Sequence, residues 1–498
     1  MRSTFFGIEL ARRALFSQQR AMDVASHNIA NANNPAYSRQ RAEMVATAPY
    51  APPGMMPAGV AGQVGTGVWV QEIVRLRDAF LDGRIRAQNQ LAGRWQVRQD
   101  VLEQVEKLFN EPSENGVRVA FDRFWESLQE LSLHPESVAV REVVLQRGRV
   151  LADSIAGVYR ELEALRGNLD YSIGLKVDRL NSLSERLAQL NRQIGQVSAS
   201  GQHPNDLMDE RDAILEEMSR LAPVQVVIRP PADDSVSGEQ VAVSIGGLSL
   251  VDGDVFHKLV MGPDTPGGQF NRQIFWEDLS SGLQVTPTGG EIGALLEMRG
   301  TRGASPEAPT TGGYLPTLMA TFDRWAREFV AAFNDQHTKG WDLDGQPAGP
   351  FFTATPTNNP PDWYAPTIGL DDGLTAQGIA ASASQDGVPG DNGNALLLAA
   401  LKSQPITGLG DVSPMDYLGA MVGRLGVATQ EAQTMTQNQE LLVNHLKGVR
   451  ESISGVSLDE EMADLVRFEH AYGAAARAMT AMDEVLDTLI HRTGLVGR

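Results

Sequence analysis

Residues 457–494 read SLDEEMADLVRFEHAYGAAARAMTAMDEVLDTLIHRTG. Leu458, Leu465, Tyr472, Met479 and Leu486 recur every seven residues, and Phe468, Ala475, Met482 and Leu489 form a second row three residues beyond each of the last four. A seven-residue apolar repeat keeps one narrow stripe turned toward a partner helix and favours left-handed supercoiling. Ser457 and Glu460 have capping-box spacing, in which hydroxyl and carboxylate satisfy orphan amides at a helix start. Gly494 stands where a left-handed stop residue belongs. The stretch therefore predicts a helix of about ten turns, with an apolar edge that nothing adjacent in sequence covers.

The other end of the chain supplies a matching element. Ile8, Leu15, Met22 and Ile29 are again spaced by seven, with Ala11, Ala25 and Ala32 on the neighbouring row and Gln18 interrupting it. Residues 1–45 hold six arginines against three acids, whereas residues 456–498 hold four against eight. Opposite charge and matching repeats predict that the two termini pair in one helical assembly. Stripes of this kind also occur on ordinary amphipathic core helices, which is the alternative reading.

At 498 residues the chain has room for roughly three domains of ~150 residues. A net charge of −20 argues against nucleic acid as a partner, because phosphates require a basic face. The absence of cysteine excludes disulfides, thiolate chemistry and Cys-ligated zinc. No run of ~18 apolar residues predicts a membrane span. Arg12, Arg13 and Arg20 interrupt the apolar N-terminal stretches, unlike a secretory signal. Composition thus points to a soluble cytoplasmic protein or one exported by another route.

Asn28, Asn31, Asn33 and Asn34 followed by Pro35 should end the first helix near Ala30–Asn33, since the residue before proline avoids helical geometry. A chance Asn-rich helix stop would look similar. The run Asn28-Ile29-Ala30-Asn31-Ala32-Asn33-Asn34-Pro35-Ala36-Tyr37, followed by Ser38-Arg39-Gln40, resembles the signature of bacterial flagellar axial proteins, and its last three residues are similar to the hook-associated protein 1 branch. Asn34 replaces the family's usual Thr, and Ala36 its usual Gly. Further likenesses lie at Arg75, Asp78, Phe80 and Leu81, at 109–113, 134–141 and 204–212, at Asp391–Ala395, and at Phe468–Arg477 and Asp483–Ile490.

Between these points, Pro49, Pro52, Pro53 and Pro57 predict extended chain over 41–75, with a strand at Val68–Ile73. Gly62–Gly67 has the wrong spacing for a dinucleotide loop and precedes a strand. Leu91, Trp95, Leu102, Val105 and Phe109 share one helical face, as do Phe121, Phe124, Leu128 and Leu131. Residues 137–198 predict the longest helix, with a seam of Leu180, Leu183, Leu187, Leu190, Ile194 and Val197; such a rod suggests an elongated protein. Asp206, Asp209, Glu210 and Asp212 read as a solvated or cap-pairing helical face.

Alternating Val224/Val226/Ile228 and Val241/Val243/Ile245, with Gly246-Gly247 as a two-residue turn, predict a small inserted β domain over 223–289. Further strands are expected at 255–261, 272–277 and 283–287. Leu318, Phe322, Trp325, Phe329 and Phe333 predict a buried stripe. Residues 338–394 show little periodicity, and Asp342-Leu343-Asp344-Gly345 lacks the twelfth-position acid of a calcium loop. Met421, Leu425, Ala428, Ala432, Met435, Leu442, Leu446, Val449, Ile453 and Val456 give a further heptad helix.

The eight histidines are dispersed, and neither a His-Glu-x-x-His pair, a phosphate loop nor a Gly-x-Ser-x-Gly elbow is present. No catalytic, metal or cofactor site is expected. The fold expectation is mainly α and elongated: a terminal assembly domain (1–45 and 456–498), a helical rod domain (46–222 and 290–455) and the inserted β domain facing outward. The termini are expected to be partly disordered in a free subunit.

The resemblance implies a structural subunit joining the flagellar hook to the filament, exported unfolded through the flagellar type III system and polymerising through its terminal helices. It implies a ring of copies, hook protein on one side, the next hook-associated protein on the other, and an export chaperone at the C-terminal helix. The location implied is secreted, at the extracellular hook–filament junction. Another axial subunit, a hook or distal rod protein, is the alternative; a secreted adhesin or enzyme on an axial scaffold is a third.

Overall fold

The computed structural model describes residues 5–49, 65–109, 116–229, 239–264, 270–277, 282–301, 312–354 and 363–492. Expectations for Pro52–Pro57, for the chain break after Phe109, and for Gly494 lie outside those residues.

The architecture is mainly helical and organised along one spine. The elements in order are α1 (Phe6–Asn31), β1 (Gln40–Ala46), β2 (Val68–Arg75), α2 (Ala79–Phe109), α3 (Val117–Leu133), α4 (Val138–Ala199), α5 (Asn205–Leu221), β3 (Gln225–Arg229), β4 (Gln240–Ile245), β5 (Leu248–Asp252), β6 (Val255–Phe256), β7 (Leu259–Met261), β8 (Ile274–Trp276), β9 (Gln284–Val285), α6 (Gly290–Arg299), α7 (Tyr314–His337), β10 (Phe352–Ala354), β11 (Ile368–Leu370), α8 (Gly393–Ala400), α9 (Pro414–Ser454) and α10 (Leu458–Asp487). A π-helical turn, Thr488–Arg492, extends α10.

Helix α4 is 62 residues long, or about 93 Å at 1.5 Å per residue. His134-Pro135 separates it from α3, and the Ser137 hydroxyl accepts from the Val140 amide to cap its start. Its apolar stripe from Val144 through Ile173 to Ile194 is buried along almost the whole length. Against its first half pack α3 and α7, which supply the stripe Phe322, Trp325, Phe329 and Phe333 as expected. Phe121, Phe124, Trp125, Phe351 and Phe352 join those rings with centroids 4.8–5.9 Å apart, the tilted and edge-on packing that aromatic quadrupoles prefer. The Trp325 indole donates to the Pro414 carbonyl at 2.8 Å.

Two antiparallel sheets, β3-β4-β5-β6 and β7-β8-β9, form between α5 and α6. Gly246 and Gly247 have φ of 60° and 86°, the left-handed pair that a type I′ hairpin requires. Val241, Val243, Leu250 and Leu259 belong to the same continuous core as α4. Asn181 donates to the Leu259 carbonyl at 2.8 Å, and Asn191 to those of Val241 and Gly253 at 3.0 and 2.7 Å. The strands are therefore built onto the spine.

The chain termini form an antiparallel pair. A Cβ on Gly7 would lie 2.8 Å from the Met482 sulfur, and at the other end Asn28 bonds Glu461. The hairpin β1–β2 lies beside α1, with Ser17 donating to the Val68 carbonyl at 3.2 Å. Helix α9 runs along α2. In its last turns Val443 and Leu446 are buried, while Leu442, Val449 and Ile453 face outward, so the expected α9 seam is displaced there. Leu91 on α2 is likewise exposed, its neighbour Ala92 being the inward residue. No described helix is long and apolar enough to cross a membrane.

Candidate assembly site

The turn after α1 gathers the ends of seven elements: α1, β1, β2, α2, α5, α9 and α10. Asn28, in the last turns of α1, is 1% exposed and uses all its hydrogen-bonding capacity. Its Nδ2 donates to the Gln40 carbonyl and to Glu461 Oε2, each at 2.9 Å. Its Oδ1 accepts from the Tyr37 hydroxyl at 2.8 Å and the Gln40 amide at 2.9 Å. One side chain thus joins α1, β1 and α10, and a fully satisfied buried amide is rigid because every alternative leaves a polar group unpaired. Burial, with the carboxylates of Asp206, Asp209 and Glu461 around it, pushes the Tyr37 phenol far above its usual range.

Arg39 carries the connection further. Its amide donates to the Ser454 carbonyl at the end of α9 at 2.8 Å. Its guanidinium donates to Glu461 at 2.6 Å and Glu460 at 2.7 Å. Burial works against that charge, but the two carboxylates outweigh it and hold the group above its ordinary value. The capping box is therefore half made: the Ser457 hydroxyl accepts from the Glu460 amide at 3.5 Å, while the Glu460 carboxylate turns to Arg39.

Beneath this lies a charged layer. Asp209 on α5 accepts from the Ser38 amide and hydroxyl at 2.9 and 2.8 Å, and from Arg75 at 2.7 Å and Arg77 at 3.4 Å. Arg75 also donates to Asp212 at 2.9 Å, and Arg77 grips Asp82 at 2.7 and 3.3 Å. Burial opposes the charge on Arg77, yet Asp212, Asp82 and Asp209 raise its pKa on balance. Arg450 from α9 closes the layer by pairing with Glu216. The solvated reading holds for Asp206 and Glu210, which meet His27 and Arg186 at the surface. It fails for Asp209 and Asp212, which lie three residues apart on the helix face turned toward β2 and are 4% and 8% exposed. Helical spacing alone does not reveal which charged face has arginines waiting across from it.

The signature residues divide accordingly. Asn28, Tyr37 and Ser38 converge, and Asn31 donates to the His27 carbonyl at 3.0 Å. Ala30, Asn33 and Pro35 are exposed, and Ile29 is half-buried. Asn34 Oδ1 accepts from the Ala36 amide at 3.1 Å, a side-chain turn closure that makes a positive-φ residue at Ala36 unnecessary. Arg39, Gln40, Arg77 and Glu461 complete the site; no local pattern marks them as partners.

On the terminal pair, Ile8, Leu15 and Met22 are half-buried, and the fully buried row is the small set Ala11, Ser17, Ala21, Val24 and Ala25. Along α10, Leu486 is buried and Leu465, Phe468 and Met479 are half-covered. Leu458, Tyr472, Met482 and Leu489 remain 51%, 37%, 45% and 47% exposed, with Val466, Val485 and Ile490 beside them. Helix α1 covers one flank of α10 and leaves an apolar flank open. Among the described residues no group of histidines and carboxylates is arranged to hold a metal. The site is suited to fixing one helix pair on a rod.

Three family models match successive parts of the chain: a flagella basal body rod protein model over 8–37, the flagellar hook-associated protein FlgK helical domain over 102–352, and the C-terminal model of the flagellar basal body rod FlgEFG proteins over 450–491. Flagellar hook-associated protein 1 of Bacillus subtilis is 33% identical over the full length of both chains. The Escherichia coli protein of that name is 23% identical, over 97% of this chain and 99% of its own. The solved structure of the flagellar hook junction protein FlgK from Burkholderia pseudomallei is similar in fold, with a TM-score of 0.60 and 16% identity over 74% of this chain and all of that one. Full-length identity at this level shows that the chain belongs to the flagellar hook-associated protein 1 family.

Proposed function

We propose that this protein, a structural flagellar subunit and not an enzyme, forms the junction that joins hook to filament. The open apolar flank of α10 carries the reading. Each large side chain along it contributes about 1.5–3 kcal/mol when buried, and a lone helix pair cannot cover it. A repeated contact of that flank with the next copy, being heterologous, closes into a ring or winds into a tube. Leu458, Tyr472, Met482 and Leu489 are the side chains assigned to that contact, while Leu465, Phe468, Met479 and Leu486, with Ile8, Leu15, Met22 and Ile29, are assigned to the terminal helix pair that presents them.

On this reading residues 1–45 and 456–498 form the assembly domain, 46–222 and 290–455 the rod, and 223–289 an outward-facing unit. Hook protein lies on one side of the ring and the next hook-associated protein on the other. The chain travels unfolded through the flagellar type III system, its terminal segments partly disordered before assembly, and an export chaperone covers the C-terminal helix until then. The absence of cysteine suits that passage.

Electron microscopy of a strain lacking the protein tests the assignment. Intact but bare hooks, with flagellin shed into the medium, are expected. Missing hooks would overturn it and identify a hook or rod subunit.

A further inference from the structure

A cleft of about 270 Å³ opens on the side of the charged layer away from the helix pair, between β2, α2, α5 and the start of β4. Four arginines line it: Arg75, Arg77, Arg86 and Arg211. Two of them are spoken for, because Arg75 and Arg77 consume Asp82, Asp209 and Asp212. The other two keep unused donors. Arg211 is 1% exposed; Glu239 pairs with its Nη2 at 3.3 Å and Asp212 lies 3.8 Å from its Nε, yet neither Nε nor Nη1 has a hydrogen-bond acceptor. Arg86, half-buried on the opposite wall, makes no ion pair or hydrogen bond among the described residues.

A buried guanidinium with idle donors is costly, and native structures supply such groups with an acceptor. Two guanidinium groups reaching one cleft from different helices match the several acceptor oxygens of a phosphate or carboxylate, which arginine binds through paired N–H donors. We propose that this cleft is a binding site for a small free oxyanion of the phosphate class, held by Arg211 and Arg86. The acids that line it do not oppose this, since Asp82, Asp212 and Glu239 are each paired with an arginine. Bound there, the anion ties α2 to α5 directly beside the layer that seats the terminal helices.

The test is equilibrium dialysis of the full-length monomer against inorganic phosphate at fixed ionic strength in chloride. Saturable uptake of one phosphate per chain is expected, weakened about tenfold or more in Arg86→Gln, the loss of one charged hydrogen-bonding partner, and partly restored in Arg86→Lys. Arg86 carries no structural bond, so circular dichroism of these variants should match the parent. Absence of saturable uptake, or equal uptake by Arg86→Gln, overturns the proposal. Uptake that persists in assembled material supports a free ion; uptake lost on assembly overturns it in favour of a carboxylate supplied by the next copy.

Discussion

Asn28 and Glu461 lie 433 positions apart in the chain and 2.9 Å apart in space, amide nitrogen to carboxylate oxygen, both almost wholly removed from solvent. Replacing Asn28 by Leu leaves Glu461, the Tyr37 hydroxyl and the Gln40 amide without that partner. Each buried polar group so orphaned costs about 1–3 kcal/mol. The expected outcome is faster amide exchange throughout α1 and α10, with the α3–α4–α7 core as protected as before. Uniform protection in the variant would show that Asn28 does not hold the pair to the rod.

Asp209→Asn keeps the shape of the side chain and removes the charge that Ser38, Arg75 and Arg77 converge on. Breaking one member of a buried ionic cluster costs about 3–5 kcal/mol, because the partners stay buried and uncompensated. Urea unfolding should move to lower midpoint by that amount, whereas Glu210→Gln, at the surface opposite Arg186, should change it by under about 1 kcal/mol.

His337 sits between the Gly349 carbonyl and the Ala380 amide, at 2.8 and 3.1 Å from its two ring nitrogens. Burial lowers its pKa to about 4, against about 6.5 in an unfolded chain. Between those values the unfolded state binds the extra proton, so stability falls as pH drops from 6.5 toward 4 and is fully retained above 6.5. The loss from this group reaches roughly 3 kcal/mol. Unfolding midpoints measured across that window should slope downward with acid, and the slope should shrink in His337→Gln.

Gly290 begins α6 with φ of 69°, and a Cβ there would meet the Leu221 and Ala222 backbone at 2.7 Å. This close crossing is the neck through which the chain enters and leaves the β strands. Gly290→Ala combines left-handed strain with a backbone clash and should cost at least about 2 kcal/mol, read as a lowered melting temperature. An unchanged melting temperature would mean that the neck yields freely.

Much of the fold was legible in local spacing. The seam of Leu180, Leu183, Leu187 and Leu190 marks α4, and Gly246-Gly247 marks its hairpin, because one periodicity or one turn type decides each. The terminal pairing was legible too, from matching repeats and opposite charge. The inward face of α1 was less so. Small residues such as Ala21 and Ala25 fill the close contact, and the larger Leu15 and Met22 sit at its margin, where a hydrophobic stripe alone does not separate centre from edge. The charged layer was least legible. Asp209 and Asp212 look like any polar helix face until Arg75, at the end of β2, and Arg77, in the link after it, are brought over from more than a hundred residues earlier.

The foot of the molecule has a temporal consequence. Its clasp joins two segments more than four hundred residues apart, and Arg39 touches both the Ser454 carbonyl and Glu461. On the proposed passage through an export channel, whichever of the two segments emerges first has nothing to fasten to until the other arrives. The α3–α4–α5 part of the shaft has partners nearer in sequence; the foot closes only when both distant segments are present.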